Sequence, residues 1–66
     1  MDAKPGDLLR VRAFGGKEIV RCFVEERGKT VLICPQAEYE RAQKENRAPD
    51  CIGWPKADVI EVETAH

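Results

Sequence analysis

The chain has 66 residues, 42% hydrophobic and 35% charged, and eleven basic residues against twelve acidic ones leave a net charge of −1. This length allows one domain at most, near the lower limit for a hydrophobic core that sustains itself. The near-neutral balance removes the basic excess that marks most nucleic-acid binders, and three cysteines, an odd number at irregular spacing, exclude a complete disulfide framework.

Free thiols point to a reducing compartment. Met1-Asp2-Ala3-Lys4-Pro5-Gly6 lacks the apolar segment of a signal peptide, and no run approaches transmembrane length. The expected location is the cytoplasm, with no membrane contact.

In chain order, Lys4-Pro5-Gly6-Asp7 carries turn chemistry and leads into a strand over 8–14 with period-two alternation. Gly15-Gly16 predicts a two-residue hairpin loop, 18–26 a second strand, Arg27-Gly28 a second tight turn, and 30–34 a third strand. Pro35 then changes the period. Residues 36–46 are nearly all good helix formers, with acidic Glu38 and Glu40 toward the start and basic Lys44 and Arg47 toward the end, as the helix dipole favours. Short strands over 51–54 and 59–63 follow, separated by a turn that opens at Pro55.

Two-residue loops fix a register. Val11 then faces Val20, Leu9 faces Cys22, Val24 faces Val31, and Cys22 faces Ile33. Both hairpins place Leu9, Val11, Val20, Cys22, Val24, Val31 and Ile33 on one apolar face, the expected core. The other face carries Arg10, Arg12 and Arg21 beside Ile19, Phe23, Leu32 and Cys34. An exposed apolar patch calls for a cover or a partner, so the helix is expected to lay Tyr39 and Ala42 over it, with a homodimer interface as the alternative. A fifth strand paired with the first points Ile60 and Val62 inward and brings Glu61 and Glu63 to Arg10 and Arg12.

Cys22, Cys34, Cys51 and His66 are the candidate zinc ligands, but every cysteine spacing exceeds ten residues where structural sites use paired ligands. The expected register also sets Cys22 and Cys34 on opposite faces. Neither a metal nor a cofactor is expected. A nucleophile needs an adjacent base, and the sole histidine is the last residue, so the chain reads as no enzyme. Trp54, the sole tryptophan, suits either a core lid or a binding groove.

The pattern resembles the Src-homology-3-like small barrels, which include Tudor and KOW modules. Gly53-Trp54-Pro55-x-x-x-Val59 is similar to the G-aromatic-P-x-x-Y-V ending of Src-homology-3 domains, with Asp58 standing at the tyrosine. The acidic aromatic loop and the central tryptophan pair that form the polyproline groove are missing. Only Phe14, Phe23, Tyr39 and Trp54 are available for a Tudor-type methyl-lysine cage. Gly6-Asp7-Leu8-Leu9-Arg10-Val11 with Gly15-Gly16 resembles the opening of a KOW motif. The layout also resembles short, uncharacterised bacterial proteins with a helical insert before the last two strands.

The resemblance implies a mainly β protein: one domain over 1–66, a five-stranded Src-homology-3-like barrel with one short α-helix between the third and fourth strands. The expected function is a non-catalytic interaction module, binding protein or self-associating through Arg21, Phe23, Leu32, Tyr39 and Trp54. The alternatives are an RNA- or DNA-binding KOW-like barrel using Arg10, Arg12 and Arg21, and a structural subunit of a larger assembly.

Overall fold

In the computed structural model, which describes residues 2–63, period-two alternation yields five strands: β1 (Leu8–Arg12), β2 (Glu18–Arg27), β3 (Thr30–Cys34), β4 (Ile52–Pro55) and β5 (Val59–Glu63). One helix, α1 (Gln36–Lys44), lies between β3 and β4. All pairings are antiparallel, in the order β4-β3-β2-β1-β5. The two edge strands β4 and β5 are consecutive in sequence, joined only by a 3₁₀ turn over Lys56–Asp58. Edge strands of a flat five-stranded sheet stand about 19 Å apart. Four peptide steps reach about 14 Å. The sheet is therefore strongly curled. It is not closed, because β4 and β5 form no ladder with each other.

The middle strand sits one residue away from its expected register. The β1–β2 connection is not a two-residue loop: Phe14–Gly16 forms a 3₁₀ turn, with Gly15 and Gly16 at φ of 76° and 79°, and the Ala13 N–H donates to the Lys17 carbonyl at 2.6 Å. Val11 then faces Ile19 and Leu9 faces Arg21. At the next turn Arg27 faces Thr30, so the loop is Gly28-Lys29, with Gly28 at φ 55°. A bulge at Val24 then sets Phe23 opposite Ile33 and Cys22 opposite Cys34.

The consequence is an inversion of β2 over 18–23. Leu9, Val11, Val31 and Ile33 are in the core as expected, but Phe23 (4% exposed) joins them, and Val20 is 44% exposed. Ile19, Trp54, Val59, Val62 and Ala3 pack against this cluster. Cys22 is buried, but on the other face. Burying a phenyl ring in place of a valine removes more apolar surface from water, which favours the observed register. On β5 a second bulge takes Ile60 out of the ladder. Val59 and Val62 point inward opposite Val11 and Leu9, and Ile60 is 40% exposed.

Helix α1 starts at Pro35, whose carbonyl accepts the N–H groups of Glu38 (3.0 Å) and Tyr39 (3.1 Å). It stops two residues before the expected end. Asn46 adopts φ 54°, and the Arg47 N–H folds back to the Ala42 carbonyl at 3.0 Å, a left-handed termination that asparagine tolerates. The helix packs on β2. Its Ala42 is buried together with Cys22 and Cys34, outside the main core cluster. Tyr39, half-buried, lies against Gly6: a Cβ there, at φ 98°, sits 3.4 Å from the Tyr39 hydroxyl. Phe23, expected beneath the helix, lies instead in the core cluster, to which Ala42 does not belong. Among the described residues no helix is long and apolar enough to cross a membrane.

Candidate functional site

Trp54 occupies the edge strand β4 opposite Val31, with its ring packed against the core. Its indole Nε1–H donates to the Arg12 carbonyl at 3.1 Å, at the end of β1. That bond links the sheet's edge strand to the strand that leads into the Phe14–Gly16 turn. Gly53 permits the approach of β4 to β3, since a Cβ there meets Thr30 Cγ2 at 3.2 Å.

The result is a shallow hollow of about 370 Å³, lined by Arg12, Ala13, Phe14, Gly53, Trp54, Pro55 and Asp58. Phe14 is 100% exposed, an entire phenyl ring in water at the tip of a turn. The Arg12 guanidinium and the Asp58 carboxylate, 3.6 Å apart, neutralise each other at the rim. Asp58 thus holds an arginine at the rim of the hollow. Across Pro55 lies a second hollow of about 500 Å³, lined by Lys29, Pro55, Lys56 and Ala57. Lys56 is paired with Glu26, which holds that carboxyl below its usual range.

Of the residues expected to bind protein, Trp54 alone lines the hollow, and Arg12, expected in the nucleic-acid alternative, lines it as well. Phe23 is in the core, and Leu32 is half-buried opposite Gly53. Tyr39 lies over Gly6 on the helix side. Arg21 is half-buried, donates to the Val20 carbonyl at 2.8 Å, and has no carboxylate partner among the described residues.

The three arginines do not form a cluster. Arg10 faces Val20, not Arg21, and contacts Glu61 at 2.9 Å, Glu63 at 2.7 Å and Glu18 at 3.9 Å. Arg12 turns to Asp58. Phe14 escaped the reading because a two-residue loop absorbed it into the preceding strand. Its signal was an aromatic placed directly before two glycines.

The helix carries a second polar feature. Glu38 accepts from Arg47 Nη1 at 2.7 Å and from the Asp50 N–H at 3.0 Å, with Arg41 at 3.6 Å. Chiefly through the Arg47 bond, its carboxyl is held down to about 2. This clamp fixes the segment between α1 and β4. His66 lies outside the described residues, and among those described no group of histidine, cysteine or carboxylate side chains is arranged to hold a metal ion.

Comparison of the chain with protein-family models, with curated proteins and with solved structures gives no match.

Proposed function

We propose that this protein is a non-catalytic binding module that takes an extended, apolar segment of a partner protein into the hollow between Phe14 and Trp54. The single observation that carries the reading is the fully exposed Phe14 ring beside the half-buried indole. Burying such a ring at an interface releases about 1.5–3 kcal/mol of apolar hydration, and aromatic anchors of this kind dominate interface energetics. An extended segment fits because β4, which carries Trp54, has a strand on one side only among the described residues. Backbone groups on a free edge accept a further strand.

Three features support reading the fold as an open relative of the Src-homology-3-like barrels: the strand order, the three-residue β4–β5 connection and the Gly53-Trp54-Pro55 ending. The ionisable groups of the hollow are Arg12 and Asp58, already paired, so no nucleophile stands beside a free base there.

The test is selection from a displayed library of random peptides on the wild-type protein, with counter-selection on Phe14→Ser. The reading predicts enriched sequences carrying an aromatic or branched aliphatic residue that lose binding on the variant. Absence of enrichment, or equal binding to both proteins, overturns it, and self-association in sedimentation would assign the hollow to a second copy instead.

A further inference from the structure

The corrected register aligns all three cysteines. Cys22 on β2 faces Cys34 on β3. Ile33 faces Ile52 at the end of the β3–β4 ladder, and just beyond it the Cys34 and Cys51 thiols interact. The thiols therefore form one row across β2, β3 and the segment just ahead of β4, and α1, whose Ala42 is buried, packs on β2. A row does not converge on one point: its outer sulfurs are about two strand spacings apart, roughly 9–10 Å, far too wide for thiolates bound to a common zinc at about 2.3 Å. Neighbouring members are another matter. Directly opposed residues on antiparallel strands have Cα atoms about 4.5 or 5.5 Å apart, inside the span of about 4.4–6.8 Å that a disulfide bridges.

We propose that Cys34 and Cys51 are a disulfide-forming pair, a modification site that ties edge strand β4 to β3 when the protein meets an oxidising low-molecular-weight disulfide. Two observations choose this pair over Cys22–Cys34. Cys22 and Cys34 are each 1% exposed on central strands, whereas Cys51 is half-buried and lies one residue ahead of β4, outside the regular ladder. The Glu38 clamp on Arg47 and on the Asp50 N–H also holds the Cys51 segment beside the end of β3. The Cys51 thiol, which donates to the Pro49 carbonyl at 3.3 Å, is thus both reachable and positioned.

The chemistry closes in two exchanges. The Cys51 thiol loses its proton and attacks one sulfur of oxidised glutathione. That S–S bond breaks, and one glutathione leaves and is protonated. The Cys34 thiol then loses its proton and attacks the Cys51 sulfur of the mixed disulfide, releasing the second glutathione as a thiol. The protein dithiol has lost two electrons and two protons, and one disulfide has become two thiols.

Burial raises both thiols, Cys34 to about 11, and Cys22, Glu38, Glu25 and Asp50 add negative surroundings. The exchange is consequently slow at neutral pH. Its rate rises about tenfold per pH unit, because the thiolate is the nucleophile.

The folded wild-type protein is incubated with oxidised glutathione from pH 7 to 9, quenched with acid, digested with trypsin and mapped by mass spectrometry. Circular dichroism is recorded before the quench. Trypsin sites at Arg27 and Arg41 place each cysteine on its own peptide. The expected result is a Cys34–Cys51 cross-link formed with native circular dichroism, with Cys22 still alkylatable after denaturation. Cys22→Ala should form the same cross-link at the same rate within about twofold, and Cys51→Ala should form none. A Cys22–Cys34 cross-link, a stable glutathione adduct on Cys51 with Cys34 free, or a cross-link that appears only once the dichroism is lost would each overturn the assignment. The outcome is independent of whether the Phe14 hollow binds a partner.

Discussion

Phe14 stands wholly in water, so deleting its ring takes nothing from the core. Phe14→Ser is expected to change the unfolding free energy by no more than about 0.5 kcal/mol, as for surface substitutions generally. The same substitution should weaken a selected peptide at least about tenfold, a loss of about 1.4 kcal/mol in binding. Chemical denaturation and calorimetric titration on the same pair of proteins separate the two effects. Glu38 behaves in the opposite manner, as a structural group bonded to Arg47 and the Asp50 N–H within the chain. Its carboxyl, held down to about 2 from 4.5 by Arg47, Asp50 and Arg41, stabilises the folded state fully above pH 4.5. That contribution is lost as pH falls through the folded value. Glu38→Gln should therefore lower the thermal midpoint at pH 7, and the difference from wild type should vanish near pH 2.

The elements follow from local chemistry that a sequence displays openly. Alternation gives the strands, helix formers behind Pro35 give α1, and Gly53-Trp54-Pro55 marks the end of β4. Register does not follow so directly. Gly15-Gly16 announces a turn without stating its length, and the 3₁₀ turn at Phe14–Gly16 adds residues that a two-residue loop leaves in the strand. The bulges at Val24 and Ile60 carry no residue type of their own. At the first turn the extra loop residue moves β2 by one position, while at the second the displaced two-residue loop moves it by two and the Val24 bulge brings this back to one, so β2 is inverted over 18–23. Of the site, Trp54 was legible as a tryptophan at a strand end, whereas Phe14 depended on the loop length. The cysteine row depended on the same strand and was likewise hidden. The inversion has a direct check by denaturant unfolding. Phe23→Ala should cost about 3–5 kcal/mol as a buried ring, while Val20→Lys should cost less than about 1 kcal/mol. The reverse ranking would restore the register that loops at Gly15-Gly16 and Arg27-Gly28 imply.

At the scale of the whole molecule, a three-residue link between opposite edges curls the sheet, brings Trp54 to the end of β1, and opens the hollow beside a free edge strand. Charge supports a protein partner over a nucleic acid. Arg10 is surrounded by three glutamates and Arg12 is paired with Asp58, so among the described residues the arginines of β1 form no basic stripe to release counterions. Fluorescence anisotropy with single-stranded RNA is expected to show no saturable binding even at about 50 mM salt, where phosphate contacts are strongest. The binding claim itself is tested most directly by heteronuclear NMR of the wild-type protein titrated with a display-selected peptide. Shift changes are expected to concentrate at Phe14, Gly53, the Trp54 indole N–H and Asp58. Changes centred instead on Arg21, Leu32 and Tyr39 would contradict it.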